Sequence, residues 1–210
     1  MILDPFYPIF DSSAWMKRLV PLGIRQAQLR IKSDDLDLVR TEALDSMEIC
    51  QRNNCRLFLN DHWQLAIELG CDAVHLGQED LELANLSQIS EAGISLGVST
   101  HSKKELARAL STSPCYVAIG PIYPTILKKM LWLPQGLERI TEWKSRAGST
   151  PIVAIGGLNP ERGIAALERG ADCVSVVTDI TLNSQPEQQV SHWLEITDPY
   201  RKSSFTGVQT

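Results

Sequence analysis

The sequence lacks the cysteine pattern of a disulfide-bonded or zinc-binding protein. Its 210 residues include five cysteines, an odd number, and no Cys-x-x-Cys pair occurs. Cysteines that lie inside or beside apolar runs, as most of these do, are typically buried, reduced thiols. We therefore expect free cysteines and a cytoplasmic location, where thiols stay reduced.

The sequence also lacks a long apolar run and a basic amino-terminal segment. It begins MILDPFYPIF, and no apolar run approaches the ~18 residues of a membrane-spanning helix. The net charge is −5, which argues against a nucleic-acid-binding surface. A small anionic ligand stays compatible with this charge, because a few local groups suffice to bind one. We expect neither a membrane nor a nucleic-acid partner, and the oligomeric state is left open.

Eight short apolar runs alternate with amphipathic segments along the chain. The runs are nearly continuous rather than alternating in polarity, as expected of parallel strands covered on both faces. They lie at residues 6–10, 26–31, 56–60, 73–76, 95–99, 116–120, 151–156 and 173–177.

The segments between the runs carry helix signals. One begins with Asn159 and Pro160 and ends at Gly170, the usual capping order of a helix. Eight strand–helix units in 210 residues predict an α/β fold, a single (β/α)₈ barrel. A doubly wound sheet is the alternative, but it usually has a glycine fingerprint after the first strand, and none follows residue 10 here.

The whole barrel is expected within one domain. We predict that it covers residues 1–195 and that residues 196–210 form a polar, disordered tail. One connection, PIYPTILKKMLWLPQG at residues 121–136, is unusually long. It is compatible either with a mobile lid over a ligand or with a loop packed on the barrel rim.

Two aspartates follow neighbouring strands. Asp61 comes after the third run and Asp80 shortly after the fourth. In a barrel, such positions meet at one mouth, where catalytic groups lie. Two carboxylates there suit Mg²⁺, whose other ligands are water and substrate phosphate oxygens. The alternative is that each aspartate caps the following helix.

The stretch QLRIK indicates an anion site at the same mouth. On a strand, Gln28, Arg30 and Lys32 share one face, and Leu29 and Ile31 face the helices. Two cations directed into the mouth need a partner. An anionic ligand is favoured, with a salt bridge to a nearby acid as the alternative, because Lys128 in the long connection adds a third cation.

A second phosphate site is indicated near the end of the chain. Gly156 and Gly157 close the seventh run, and backbone amides after strands seven and eight often bind phosphate in barrels.

The remaining candidates are a serine and two histidines. Ser99, at the end of the fifth run, could bond a phosphate oxygen. Ser99 and His101 need an orienting acid to form a triad. His75 fits either a structural or a rim role. HExxH and P-loop motifs are absent.

Taken together, these stretches resemble the thiamine-phosphate synthase family. The matching pieces run in family order from about residue 7 to 181. They are YPIFD, QLRIK, RLFLND, HLGQEDL, GVSTH, YVAIGPIYPT, LPQGLE, VAIGGL and VSVVTDI.

The resemblance implies a barrel enzyme, a transferase that joins two phosphorylated thiamine precursors. The diphosphate of 4-amino-5-hydroxymethyl-2-methylpyrimidine and the phosphate of hydroxyethyl-thiazole would give thiamine phosphate and pyrophosphate. In the family the diphosphate departs first, and the thiazole nitrogen captures the resulting cation. The catalytic groups would then act electrostatically.

The resemblance also implies a role for each site residue. The residues that would bind the pyrimidine diphosphate are Gln28, Arg30, Lys32, Asn60 and Ser99, with Lys128 reaching its diphosphate. Asp61 and Asp80 would hold Mg²⁺, and Arg30, Lys32 and Lys128 would be catalytic. Contacts to the thiazole phosphate would come from Thr125, Gly157, Val177 and Thr178.

Two positions depart from the family pattern. Leu127 stands where a second threonine is usual, and Asp179 adds a negative charge near the expected phosphate. The alternatives are a thiazole tautomerase-like isomerase and a non-catalytic phosphate-ligand binder. A tautomerase would not need the QLRIK and aspartate set, and a binder should have lost the Mg²⁺ acids, yet all are present here.

Overall fold

The fold is a closed barrel of eight parallel strands with helices around it. The structure, a computed structural model, describes residues 2–125 and 133–202. The strands pair in sequence order, and the last pairs with the first. They are β1 (Phe6–Phe10), β2 (Gln26–Leu29), β3 (Arg56–Asn60), β4 (Ala73–Leu76), β5 (Ser95–Thr100), β6 (Tyr116–Ile119), β7 (Ile152–Ile155) and β8 (Cys173–Val176). The predicted (β/α)₈ barrel is confirmed.

Helices follow each strand in turn. In the described ranges they are α1 (Ser13–Leu19), α2 (Leu36–Arg52), α3 (Trp63–Leu69), α4 (Gln78–Leu83), α5 (Leu86–Glu91), α6 (Lys103–Leu110), α7 (Glu138–Ala147), α8 (Pro160–Glu168), α9 (Thr178–Thr181) and α10 (Pro186–Thr197). Short 3₁₀ helices cover Val20–Leu22 and Asp198–Tyr200. Asn159 caps α8, with its side chain accepting from the amide of Arg162.

The barrel has two apolar regions. The larger lies between strands and helices and includes Leu29, with Ile31 packed against it. The smaller fills the barrel interior with aromatic rings, among them Tyr7, Phe58 and Tyr116. Leu29 and Ile31 therefore face the helices, as the strand alternation predicted.

Some predicted strands extend beyond the observed ones. The second was predicted to reach residue 31 but ends at Leu29, because the neighbouring β1 ends at Phe10, directly opposite. The seventh ends at Ile155, because Gly156 turns into the left-handed region with φ 99°. Because β2 ends at Leu29, Arg30 and Lys32 lie in the connection after the strand, at the barrel mouth.

The chain ends interact at the amino-terminal side of the barrel. Nε of Arg201 lies 2.9 Å from Oδ2 of the buried Asp4. The predicted domain boundary after residue 195 falls within α10, which ends at Thr197. The disordered tail stays a prediction, and residues 203–210 lie outside the described residues.

The cysteines are free thiols, as expected. All five cysteines are free, and all but Cys115 are buried. In the part of the chain that the structure describes, no helix is long and apolar enough to cross a membrane. The cytoplasmic location stays a prediction.

Candidate active site

Charged side chains meet where β2, β3 and β4 end. Asp61 directly follows β3, and Asp80 lies in the first turn of α4. Nζ of Lys32 donates to Oδ2 of Asp61 over 2.5 Å. Neither aspartate caps a helix, because His62 precedes α3 and Gly77 precedes α4. The structure thus places a predicted anion-binding lysine against a predicted metal-binding acid, the salt bridge that was the alternative reading.

The two carboxyl groups influence each other's protonation. Burial raises the pKa of Asp80, and the charge of Asp61 and a hydrogen bond with it raise that pKa further. Burial acts in the same direction on Asp61, but the hydrogen bond and charge of Lys32 outweigh it, so the pKa of Asp61 is lowered. The side chain of Lys32 is 59% exposed, so solvent weakens its compensation. The pair therefore favours an additional cation.

Arg30 lies at the same mouth. Its amide donates to the carbonyl of Phe10 over 2.7 Å, which holds the chain just past β2. Burial lowers the pKa of His75 to about 4; the charge of Asp61 opposes this shift and that of Arg30 adds to it. Arg30, Asp61 and His75 are therefore within electrostatic reach of one another. Lys128 and Leu127 lie outside the described residues.

A chain of hydrogen bonds crosses the barrel interior below these charges. Nε2 of Gln28 donates to the hydroxyl of Tyr7 over 3.0 Å, and the hydroxyls of Tyr7 and Tyr116 are 3.1 Å apart. The Tyr116 hydroxyl lies 2.7 Å from Nδ1 of His75, whose Nε2 lies 2.8 Å from Oγ of Ser99. We call Gln28, Tyr7, Tyr116, His75 and Ser99 the interior chain.

The serine and histidines do not form a catalytic triad. Ser99 pairs with His75, whose other nitrogen faces a tyrosine rather than an acid. His101 instead bonds Glu105, with Nδ1 2.9 Å from Oε2. The arrangement offers Ser99 as a hydrogen-bonding group, with no acid to activate it as a nucleophile.

Two buried polar atoms near the carboxyl ends of β3 and β8 have no protein partner within the described ranges. They are Nδ2 of Asn60, at the end of β3, and Oγ of Ser175, in β8. A buried polar group without a partner costs roughly 1–3 kcal/mol. Both atoms are therefore suited to a polar ligand.

The ends of β7 and β8 border a separate small cavity of about 50 Å³. Thr125, Gly157, Val177 and Thr178 line it, so the structure brings together all four residues predicted at the thiazole phosphate, and Ser175 joins them.

The paired glycines have a structural cause that the sequence did not reveal. A Cβ on Gly157 would lie 2.3 Å from the carbonyl oxygen of Pro124, and one on Gly156 would lie 2.7 Å from Cα of Pro121. Both glycines also have positive φ, 99° at Gly156 and 65° at Gly157. The close approach is made by residues 121–124 of the chain itself, so glycine is required here with or without a ligand.

The carboxylate of Asp179 accepts hydrogen bonds from neighbouring side chains. Oδ2 accepts a 2.7 Å hydrogen bond from Nε1 of Trp193 and a 2.5 Å bond from Nε2 of Gln189. Both donors lie on α10. The carboxylate is thus bound to the helix layer, which accommodates the departure from the family pattern.

Sequence reasoning missed Tyr7, Tyr116, Gln78 and Ser175. Nε2 of Gln78 donates to the Ser99 carbonyl over 2.7 Å, and its Oε1 is buried without a partner in the described part of the chain. Ser175 could have been found from strand alternation, because it lies two residues from Val177 in an inward-facing series.

Charged groups at the carboxyl ends of barrel strands, above a polar interior, define a class: (β/α)₈-barrel enzymes that act on small anionic molecules. A family model described as thiamine monophosphate synthase matches residues 6–180. The chain belongs to this family, and it is an enzyme of thiamine biosynthesis, a transferase.

Individual relatives agree with this placement. The chain is 52% identical to the thiamine-phosphate synthase of Rhizobium etli over 201 residues, covering 96% of this chain and 98% of that protein. It is 42% identical to the enzyme of the same name from Neisseria meningitidis serogroup A, covering 92% and 94%. The solved thiamine phosphate pyrophosphorylase of Pyrococcus furiosus superposes with a TM-score of 0.83 at 20% identity, over 95% of this chain and 98% of that one, and supports the fold.

Proposed function

We propose that the chain joins the pyrimidine diphosphate to the thiazole phosphate in a Mg²⁺-dependent reaction that releases pyrophosphate. The observation that carries the proposal is the cluster of Lys32, Asp61 and Asp80 at the mouth that also holds Arg30, Asn60 and Ser99. Family membership supports the same activity.

The residues present fit Mg²⁺. Two adjacent carboxylates with one exposed lysine leave negative charge uncompensated, as the raised pKa of Asp80, caused by burial and by Asp61, indicates. Within residues 2–125 and 133–202, no group of three or more His, Cys, Asp or Glu side chains forms a metal site. Asp61 and Asp80 would hold the ion as a pair of carboxylates, with water and diphosphate oxygens as its other ligands. When bound, the ion would stabilise the charge that develops on the leaving diphosphate.

The pyrimidine diphosphate would lie over the interior chain. Arg30 and Lys32 would bind the departing diphosphate, with Lys128 added from the long connection. Nδ2 of Asn60, which has no partner among the described residues, would donate to it. The hydroxyl of Ser99 would donate as well. Gln28 would contact the same substrate from β2. These donors are positioned before the reaction, so they stabilise the leaving group without reorganising.

The bond between the pyrimidine's methylene carbon and the diphosphate oxygen breaks with its electron pair leaving on oxygen. The cation left on carbon is captured by the lone pair of the thiazole nitrogen, which forms the new C–N bond. No protein nucleophile takes part, in keeping with the absence of a serine triad at Ser99. The chain's contribution is to bind both substrates and to stabilise the pyrophosphate.

The thiazole phosphate would bind at the cavity between β7 and β8. Thr125 and Thr178 offer hydroxyls, and Gly157 and Val177 offer backbone. Asp179 lines the adjoining cavity beside Thr178, and its carboxylate accepts hydrogen bonds from Trp193 and Gln189 of α10.

One assay tests the proposal: purified protein with both precursors, with Mg²⁺ or with EDTA, scored for thiamine phosphate and pyrophosphate. We expect equal amounts of both products with Mg²⁺ only. Conversion of a thiazole substrate alone would favour the isomerase, and ligand binding without turnover would favour the binder. Asp61→Asn should abolish turnover, whereas Asp45→Asn, an exposed substitution on α2, should not; equal activity of the two variants would contradict the metal assignment.

A further inference from the structure

The interior chain connects two residues that are predicted to bind substrate and that lie on different strands. The three residues between them have no predicted role in substrate binding. Gln28 lies on β2 and Ser99 on β5, and Tyr7, Tyr116 and His75 connect them through the barrel. All the contacts are between 2.7 and 3.1 Å. Which group donates in one hydrogen bond of the interior chain therefore affects which group donates in the next, from one side of the mouth to the other.

Two donor directions are compatible with these contacts, and the Gln28 amide starts one of them. It donates to the Tyr7 oxygen and leaves the Tyr7 hydrogen available for Tyr116. In this direction Tyr116 donates to Nδ1 of His75, which is then the unprotonated nitrogen. The proton of the neutral ring is then on Nε2 and is donated to Oγ of Ser99. The hydroxyl hydrogen of Ser99 is consequently left for a ligand.

The reverse direction would have the opposite effect. If Ser99 donated to Nε2 of His75, its oxygen would present only lone pairs at the mouth. Lone pairs repel the oxygens of a diphosphate, whereas an O–H group binds them. The donor direction along the interior chain thus determines whether the Ser99 hydroxyl attracts or repels an anion.

The packing holds Tyr116 in this arrangement. Its ring is stacked on His75, with centroids 5.7 Å apart, and meets Tyr7 and Phe58 edge-on at 5.9 and 5.5 Å. A Cβ on Gly97 would lie 2.3 Å from the ring of Tyr116, so the paired residue of β5 is a glycine that admits this ring. Tyr116 is fully buried.

We propose that Tyr7, Tyr116 and His75 are positioning residues that orient the Ser99 hydroxyl as a hydrogen-bond donor to the diphosphate of the pyrimidine substrate. This inference rests on the proposed function. It assigns the tyrosine pair a role in binding the leaving group that is exerted through His75 and Ser99.

The first test removes one hydroxyl and keeps the ring. Tyr116→Phe should lower kcat/KM for the pyrimidine diphosphate by about fivefold to tenfold, as expected for a weakened hydrogen bond to a charged group. The KM for the thiazole phosphate should change less than twofold. Tyr200→Phe, in the 3₁₀ helix after α10, is the matched control and should behave as the wild type.

A double variant separates positioning from general destabilisation. Because Tyr116 acts through Ser99, Tyr116→Phe combined with Ser99→Ala should lose no more than Ser99→Ala alone. The proposal would be overturned if the losses in kcat/KM of the two single variants multiplied in the double variant. It would also be overturned if Tyr116→Phe alone lost no activity.

The second test needs no turnover. ¹⁵N NMR of histidine-labelled protein, with His75 assigned among the four histidines by His75→Gln, should show the Nε2-protonated neutral ring in the free enzyme. The Nδ1-protonated ring would overturn the proposal.

The two tests distinguish this inference from the proposed function. If the wild type forms no thiamine phosphate, the proposed function fails, and pyrophosphate binding in the presence of Mg²⁺ then replaces turnover as the readout. Weaker pyrophosphate binding by Tyr116→Phe than by Tyr200→Phe would support the positioning role, and equal binding would reject it.

Discussion

Nζ of Lys32 lies 2.5 Å from Oδ2 of Asp61, and this ion pair links the chain after β2 to the end of β3. The lysine is 59% exposed and the aspartate 19% exposed. An ion pair so open to water contributes below about 1 kcal/mol to folding. The pair therefore contributes little to folding, and the binding of an anion by Lys32 stays a proposal.

Lys32→Met should therefore impair turnover much more than folding. We expect turnover to fall about 10-fold to 100-fold, the usual effect of losing one charge-stabilising donor. The melting temperature should stay within about 3 °C of the wild type. Lys104→Met, an exposed change on α6, is the control. A large loss of stability with normal turnover would show that the pair is structural.

Asp80→Asn should stabilise the ligand-free protein while abolishing activity. Burial and the charge of Asp61 raise the pKa of Asp80 in the folded state. Its ionisation therefore costs stability above that pKa, and the cost vanishes as the pH falls below the unfolded value near ~4. We expect the melting temperature to rise by about 2 °C at pH 7 and not at pH 3. Thermal melts beside Asp45→Asn would check this, and a lower melting temperature at pH 7 would contradict it.

His75 should make the protein sensitive to acid. Its folded-state pKa is lowered to about 4 by burial, with Asp61 opposing and Arg30 adding to the shift. Stability from the neutral ring is present above the unfolded pKa of about 6.5 and is lost as the pH falls toward the folded value. Between pH 7 and pH 4 the loss should be about 3 kcal/mol.

Urea denaturation at both pH values measures this loss. His75→Gln should lose about 3 kcal/mol less than the wild type over the same interval. His192→Gln, an exposed change on α10, should lose as much as the wild type. An identical pH response of all three proteins would show that His75 does not titrate differently on folding.

Asp179 should affect stability rather than phosphate binding. Asp179→Ala removes the acceptor of Trp193 and Gln189 and should lower the free energy of unfolding by about 2 kcal/mol. Asp179→Asn keeps an acceptor oxygen and removes the charge, so the KM for the thiazole phosphate should change less than twofold. A marked fall in that KM would show that the charge does act on the phosphate.

The contact between Arg201 and Asp4 predicts that two truncations of the carboxyl terminus differ in stability. Ending the chain after residue 200 leaves the buried Asp4 carboxylate without its cation and should cost about 3 kcal/mol. Ending it after residue 202 should cost nothing measurable if the predicted tail makes no packing contribution. Equal stability of the two truncations, measured by urea denaturation, would contradict the role of Arg201.

Local patterns predicted the barrel and the residues at its mouth. The eight apolar runs became the eight strands, because each run is long enough for one strand and is bounded by a helix signal. Asp61 and Lys32 could be placed near one another, because strand ends meet at a single rim in this fold. Their direct pairing was only the alternative to an anion site, because it depends on where β2 ends relative to β1.

The sequence by itself determined the order of the strands, the charged residues at their ends and the family resemblance, because these follow from residue type and spacing along the chain. Only the tertiary structure decided which polar atoms meet inside the barrel. Tyr7 and Tyr116 come together although 109 positions separate them, through strand register that no local pattern encodes. Their contact, and the burial of Asn60 Nδ2 and Ser175 Oγ without a partner among the described residues, arise only when eight strands close around one interior.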